Sequence, residues 1–333
     1  MANTHQLTRE YFTRSRFAAA GNFLGFLPNP DTILRRTGKT LEAYRDLKND
    51  PHVWSCIQSR KSGVLCLEYS IVPAGASASI VREVDQIIRD LDIRGILRDA
   101  LEAPLFGFQP MEIVWKQLGR FLVPESFRAK PQEWFTFDCQ GSLCAKSEIG
   151  MAPTPIARHK IVNVRYEADY NNPYGQALLG KCYWQVQFKR GGLRFWVNFS
   201  ERYGMPLLLG QFARGASPEE AKELAEQLSQ MAEDTVIVAP ADISVSMHEA
   251  SRNSSVNLFR ELIHHCNTEI SKALLSQTLT TEIDMGSYAA AETHFKIRRE
   301  VVQSDCRLVE RAMNELIASI VELNFGRVGA PHF

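Results

Sequence analysis

Hydrophobic residues in the second half of the chain recur every three or four positions over long stretches. This spacing predicts helices over residues 176–202, 255–276 and 289–325, because residues three and four apart share one face of a helix. At 1.5 Å per residue the first helix would be roughly 40 Å long and the last roughly 50 Å. Such helices present more apolar surface than one subunit can cover, so we expect them to pack against copies of the same chain.

The first half of the chain mixes short helical and short alternating patterns. Helical spacing occurs over 40–64, 80–91 and 96–105, and Gly95 is the expected break between the last two. Alternating or β-branched runs predict strands at 67–72, 111–115, 121–123, 134–138 and 160–166. This half is therefore predicted to be an α+β domain, and the whole chain is placed in the α+β class.

A short insert separates the first two long helices. Ser217-Pro218-Glu219-Glu220 is a capping box with proline at the first helical position, which predicts a helix that begins there. Residues 235–239 and 243–247 are predicted strands on either side of Pro240. The insert is thus predicted to be a small α/β unit.

Length and charge limit the classes of function. The chain has 333 residues, more than one typical domain, and its 38 basic and 38 acidic residues give a net charge of +0. A protein that grips DNA usually carries a basic surplus, because its affinity comes mainly from neutralising phosphates. Neutrality disfavours a tight DNA binder but is compatible with a conduit, in which strong adhesion would brake the DNA.

Neither a membrane span nor a disulfide framework is expected. No run of about 18 apolar residues occurs, and residues 1–17 lack the apolar core of a signal peptide. The seven cysteines form no C-x-x-C pair, so we predict reduced thiols and no metal site. His264 and His265 are adjacent on a predicted helix and point about 100° apart, which prevents them from sharing a metal.

One segment is similar to a phosphate-binding loop. Residues Gly175 to Cys182 fit the pattern G-x-x-x-x-G-K, but cysteine replaces the serine or threonine whose hydroxyl would bind Mg²⁺. The preceding predicted strand also ends too early, at residue 166. Glycines at a helix start beside a surface lysine are the favoured explanation, and nucleotide binding is the alternative. No catalytic constellation is visible, so neither an enzyme nor a cofactor is expected.

A basic cluster lies inside the first long helix. Lys189, Arg190 and Arg194 surround Gly191 and Gly192. The cluster either faces DNA phosphates or is an ordinary solvated face. The two glycines either break the helix or allow another backbone to come close.

The order of elements and several local strings resemble the portal proteins of Mu-like tailed phages. The order is an α+β domain, a long helix, a small insert, a second long helix, a polar loop and a third long helix. The strings with family-like sequence are Asp50 to Lys61, Leu67 to Pro73, Asn172 to Gly175, Glu201 to Pro206 and Ile270 to Leu275.

The resemblance implies a portal fold with an α+β wing, long stem helices, a small α/β clip and a long kinked tunnel helix. Its parts would be an N-terminal arm (1–39), the wing (40–172), stem helix 1 (173–203), the clip (204–251), stem helix 2 (252–276), the tunnel loop (277–288) and the tunnel or wing helix with the C-terminus (289–333). Portal chains commonly continue into a helical crown, whereas this sequence stops at Phe333, so the crown is expected to be missing or the chain to be a shortened relative.

The resemblance also implies a function. The expected protein is a ring of about twelve copies at one capsid vertex, and double-stranded DNA passes through the ring without sequence specificity. Its expected partners are the terminase large subunit, which hydrolyses ATP, the head-completion or adaptor proteins, and the capsid and scaffold proteins. The expected location is the portal vertex of the virion, with host cytoplasm during assembly. A smaller head–tail adaptor without a channel is a further alternative.

Candidate site residues follow from the predicted parts. The residues expected to line the DNA channel at the tunnel loop are Thr278, Thr280, Thr281, Glu282, Asp284 and Ser287, and the basic cluster is a possible second lining. The clip residues expected to dock terminase or adaptors are Ser217, Glu219, Glu220, Lys222 and Glu223.

Overall fold

The computed structural model describes residues 26–147, 153–204, 208–212, 217–231, 236–240, 252–277 and 288–333. The chain divides into two compact units. The first comprises Met1–Trp184 together with Thr268–Phe333, and the second comprises Gln185–Asn267.

The described residues form the mixed α+β architecture that the sequence predicts. The helices are α1 (Thr32–Thr37), α2 (Glu42–Leu47), α3 (Pro51–Leu65), α4 (Ala78–Arg89), α5 (Ile93–Ala100), α6 (Ala103–Phe106), α7 (Leu178–Gly204), α8 (Pro218–Met231), α9 (Arg252–Leu275) and α10 (Tyr288–Phe325). The strands are β1 (Phe26–Leu27), β2 (Phe108–Leu118), β3 (Phe121–Ala129), β4 (Phe135–Asp138), β5 (Leu143–Ala145), β6 (Thr154–Pro155), β7 (Ile161–Arg165), β8 (Leu208–Phe212) and β9 (Val236–Pro240).

The long helices predicted from hydrophobic spacing are present. They are α7 with 27 residues, α9 with 24 and α10 with 38. Gly191 and Gly192 do not break α7, which continues through both residues.

Local capping sets the helix boundaries in the first unit. Asp50 caps α3 by accepting hydrogen bonds from the backbone amides of His52 and Val53, and Pro51 occupies the first turn. The expected break at Gly95 is wrong. Gly95 lies inside the first turn of α5, whose cap is Asp92, and the Asp92 carboxylate accepts from the Gly95 amide. A β-carbon at residue 95 would overlap that carboxylate, so glycine makes room for the cap.

Two sheets belong to the first unit, and both are antiparallel. One has the strand order β3-β2-β7 and the other β1-β4-β5-β6. The main core lies between β2, β7, α5 and α10. Its buried side chains include Met111, Ile113, Val162, Met313 and Ile317.

The strand predicted at residues 67–72 is wrong. This segment forms no strand, and its one sheet-like contact is an isolated bridge between Val72 and His332. Leu67, Tyr69 and Val72 are exposed, because no neighbouring strand lies beside the segment to bury an alternating face. Tyr69 instead stacks on Phe333, with 4.9 Å between ring centroids.

The insert folds as a β-α-β element within the second unit. β8 and β9 pair in parallel, and α8 connects them and packs on both. A parallel pair needs such a crossover, because a tight turn cannot return the chain in the same direction. The prediction of a strand at 235–239 is confirmed by β9, whereas the predicted strand at 243–247 lies outside the described residues.

Candidate functional site

The basic cluster of α7 divides into two parts. Lys189 is only 7% exposed, and its ammonium donates a hydrogen bond to Asn267 Oδ1 at 2.9 Å. Arg190 and Arg194 are four residues apart and share one side of the helix, about 100° or more around from Lys189. Arg194 is exposed and Arg190 is half-buried. Lys189 therefore holds α7 against α9, and only the two arginines are kept as candidates for contact with DNA.

The two glycines of α7 differ in their surroundings. A β-carbon on Gly192 would lie 2.8 Å from Leu262 Cδ2, so this glycine admits a side chain of α9. A β-carbon on Gly191 would meet nothing within 4 Å. The approach of another backbone is therefore wrong for both glycines: Gly192 makes room for a side chain of α9, and Gly191 has no described neighbour within 4 Å.

Aromatic residues cover much of α7. Trp196 stacks on Phe259 of α9, with 6.4 Å between centroids and an interplanar angle of 10°. Phe188 and Phe195 are exposed, and so is Leu258 on α9. Exposed aromatic side chains on long helices are typical of surfaces that other chains cover.

The predicted capping box at the start of α8 is confirmed. The Ser217 hydroxyl accepts from the Glu220 amide at 3.2 Å, and the Glu220 carboxylate accepts from the Ser217 amide at 2.9 Å. The predicted docking residues are all exposed; they are Ser217, Glu219, Glu220, Lys222 and Glu223. α8 thus presents a charged, accessible first turn, while its apolar side packs on β8 and β9.

The predicted channel residues Thr278, Thr280, Thr281, Glu282, Asp284 and Ser287 lie outside the described residues. The helix end that precedes them is fixed by Arg60 of α3. The Arg60 guanidinium donates to Leu274 O at 2.8 Å and binds Asp305 of α10 through two hydrogen bonds of 2.7 and 2.8 Å. Burial opposes the charge of Arg60, but the hydrogen bonds to Asp305 outweigh it and raise the pKa of the guanidinium.

Two further contacts, one polar and one apolar, join these helices. His52 Nε2 lies 2.7 Å from Ser271 Oγ of α9. Gly63 of α3 lets Val302 of α10 approach, since a β-carbon there would lie 2.5 Å from Val302 Cγ2. Sequence reasoning missed Arg60 and Asp305, because 245 residues separate them and neither belongs to a local motif.

The segment similar to a phosphate loop has a structural explanation. Gly175 has a φ of +73°, and a β-carbon there would overlap the carbonyl oxygens of Gly107 and Tyr166. The Tyr44 hydroxyl donates a hydrogen bond of 2.8 Å to the Asp31 carboxylate. Both groups lie over Gly180. A carboxylate at this helix start would repel a phosphate.

Cys182 is also unsuited to bind Mg²⁺. Its thiol is buried, and burial raises its pKa to about 12, so it is neutral at physiological pH. None of the seven cysteines forms a disulfide in the described part of the chain. Among the described residues no group of histidine, cysteine and acidic side chains is arranged to hold a metal, and no helix is long and apolar enough to cross a membrane.

Comparison with known proteins decides the family. The family model described as the portal protein of Mu bacteriophage matches residues 41–333. The chain belongs to this family. The resemblance seen in the local strings is thereby confirmed.

Two curated proteins are similar to this portal family member. The portal protein of Escherichia phage Mu is 26% identical over 329 residues, which covers 90% of this chain and 61% of the Mu protein. The Mu-like prophage FluMu protein gp29 of Haemophilus influenzae is 23% identical over 289 residues, which covers 83% of this chain and 55% of the prophage protein. The chain therefore spans less than two thirds of the length of either relative.

A solved structure shares the fold. A chain from the virion of the native gene transfer agent particle aligns with a TM-score of 0.60 over 93% of this chain and 87% of its own length, at 12% sequence identity. The α+β fold of this portal family member thus has a counterpart in a virion particle.

Proposed function

We propose that this protein is a structural, non-enzymatic subunit of a closed ring of about twelve copies at one capsid vertex, through which double-stranded DNA is packaged and ejected. The observation that carries the proposal is the match of residues 41–333 to the Mu portal family. The structural likeness to a virion chain supports it.

The long helices support assembly into a ring. Phe188 and Phe195 on α7 and Leu258 on α9 are exposed, and burying them against a neighbouring copy would remove apolar area from water. Contacts between two different surfaces of identical subunits close into a ring when the rotation between subunits permits it.

The channel proposal rests on weak attraction for DNA. The net charge of +0 gives the chain no overall basic field. We assign residues 277–288 to the constriction, where hydroxyls with Glu282 and Asp284 would keep the duplex centred and mobile by charge repulsion. Arg190 and Arg194 on α7 are a possible second contact with phosphates.

Docking is assigned to the clip, residues 204–251. The exposed first turn of α8, with Glu219, Glu220, Lys222 and Glu223, offers charged groups to the terminase large subunit and later to head-completion or adaptor proteins. Capsid and scaffold proteins are the other proposed partners. The protein would act in the virion, after assembly in the host cytoplasm.

The two alternatives have less support. Nucleotide binding would need a phosphate site, but Asp31 lies over Gly180 and Cys182 is buried. A smaller head–tail adaptor would lack a DNA channel, so a test of the channel separates it from a portal.

The channel is tested by replacing both Glu282 and Asp284 with lysine and measuring packaged DNA at several salt concentrations. A ring of lysines should hold the phosphates and stall packaging, and the stall should ease as salt screens the new contacts. The matched control replaces two other exposed acidic residues with lysine: Glu83, within α4, and Asp90, directly after it. It changes the net charge by the same amount as the channel variant. Equal packaging by both variants at every salt concentration would remove residues 277–288 from the DNA path.

A further inference from the structure

The three-stranded sheet β3-β2-β7 has two edges, and one of them is closed. At the β3 edge, Pro124 has no N–H group to offer. The Asn324 side chain occupies both outward groups of Leu122, accepting from its amide at 2.7 Å and donating to its carbonyl at 2.8 Å. Proline and capped backbone groups prevent another strand from pairing with an edge.

The β7 edge carries no such protection. Val162 pairs with Met111, and Val164 pairs with Gln109. On either side of these pairs, Ile113 N donates to Lys160 O and Tyr166 N donates to Gly107 O. The even-numbered residues from 160 to 166 are therefore the ones whose backbone groups face β2. In an antiparallel ladder the intervening residues point their backbone groups the other way. Those of Ile161, Asn163 and Arg165 therefore face outward. They have no hydrogen-bond partner in the part of the chain that the structure describes.

A groove runs beside this open edge. It encloses about 110 Å³ between β7 and one face of α10. The α10 residues that line it are spaced i, i+3, i+4 and i+7; they are Leu308, Arg311, Ala312 and Glu315. A further strand would lie about 4.8 Å from β7, over this face, where the partly buried Leu308 offers apolar contact.

The charges that line the groove favour an anionic occupant. Neither Arg165 nor Arg311 forms an ion pair among the described residues. The one carboxyl in the groove is Glu315; the residue as a whole is exposed, but partial desolvation of its carboxyl raises the pKa, and Arg165 opposes the shift. The buried Asn163 Oδ1 also lacks a hydrogen-bond donor among those residues. Two guanidiniums thus face a single carboxyl in the groove. The Asn163 Oδ1 atom, in turn, needs a hydrogen-bond donor such as a backbone amide.

We propose that β7 accepts a fourth strand from a partner protein, an extended segment whose acidic side chains pair with Arg165 and Arg311. The segment would add to the sheet through the backbone groups of Ile161, Asn163 and Arg165. This site is separate from the proposed channel and clip, and it does not depend on ring formation.

The probe is a fluorescein-labelled ten-residue peptide of alternating threonine and glutamate, titrated with the full chain and followed by anisotropy. A matched peptide of alternating threonine and lysine is the control. The acidic peptide should bind and should slow hydrogen–deuterium exchange of the outward amides of residues 161, 163 and 165, while the lysine peptide does neither. Asn163→Pro removes one outward amide without touching the bonds to β2, and it should abolish the protection.

A charge variant keeps the test decisive if the proline variant fails to fold. Arg311→Glu should weaken binding by about tenfold or more. Arg307→Glu, on the same helix but outside the groove, should leave the affinity nearly unchanged.

Four results would overturn the proposal. These are equal binding of both peptides, no binding of the acidic peptide at millimolar concentration, unchanged exchange at β7, and equal effects of the two arginine variants. The β7 amides could also be protected in the assembled chain when no peptide is present. If Asn163→Pro removes that protection, the occupant is a second copy of the chain, and an acidic partner is rejected.

Discussion

Among single residues, Arg60 joins segments that lie far apart in sequence. Its guanidinium binds Asp305 and the carbonyl of Leu274, and it lies 5.5 Å from the centroid of the Tyr166 ring. Asp305 is 1% exposed, so Arg60 rather than water satisfies its carboxylate. Arg60 therefore holds α3 against α10 and the end of α9.

Arg60→Met is expected to lower the free energy of unfolding by about 3–5 kcal/mol, because it leaves a buried carboxylate without its partner. Urea denaturation of the variant and the unaltered chain measures the loss. Arg89→Met is the control, since its ion pair with Asp85 is exposed and should contribute no more than about 1 kcal/mol. Similar losses in the two variants would show that Arg60 is not a structural clamp.

The reactivity of cysteines tests the environment of Cys182. The thiolate is the nucleophile, and the raised pKa keeps the Cys182 thiol neutral near pH 8, whereas Cys66 is exposed. Brief treatment with iodoacetamide at this pH should alkylate Cys66 and spare Cys182, as read by mass spectrometry of tryptic peptides. The unfolded chain, in which the thiol pKa returns to its ordinary value, is the control and should be labelled at both. Alkylation of Cys182 in the folded chain would place that thiol in a solvent-accessible site.

Among the elements, two helix glycines have opposite surroundings. A β-carbon at Gly63 of α3 would collide with Val302 of α10, a stiff β-branched side chain. A β-carbon at Gly191 of α7 would meet open space. The same substitution should therefore have opposite effects at these positions.

Gly63→Ala is expected to destabilise the chain by about 1–3 kcal/mol through overpacking. Gly191→Ala should stabilise it by up to about 1 kcal/mol, because alanine favours a helix over glycine. Thermal unfolding of both variants measures the shifts. Shifts of the same sign would contradict the assigned packing of α3 or the open space beside Gly191.

The helices could be predicted because their hydrophobic spacing is a local property of the sequence. The long helices α7, α9 and α10 and the cap of α8 follow from spacing and from Ser217 and Glu220 alone. Pairing is not local, so alternation at residues 67–72 predicts a strand, although in the described part of the chain the segment makes only the single bridge from Val72 to His332. β8 is not predicted by its sequence pattern. The candidate site is harder to predict, since the hydrogen bond of Lys189 to Asn267 and the ion pair of Arg60 with Asp305 depend on tertiary packing.

At the scale of the whole molecule, the exposed apolar residues of α7 and α9 and the absence of net charge favour self-association over a tight grip on DNA. Phe188, Phe195 and Leu258 leave apolar surface that a single copy does not cover. The proposed ring is the assembly that would bury this surface.

Native mass spectrometry of the purified full chain, at micromolar concentration and physiological salt, tests for the ring. We expect one dominant closed species whose mass is a fixed multiple, about twelvefold, of the 37.6 kDa subunit. Phe195→Glu should shift the population towards monomer, because it places a charge on the proposed contact surface, whereas Leu118→Glu, on an exposed strand end, should not. A population of monomers alone, for the unaltered chain under these conditions, would contradict the account.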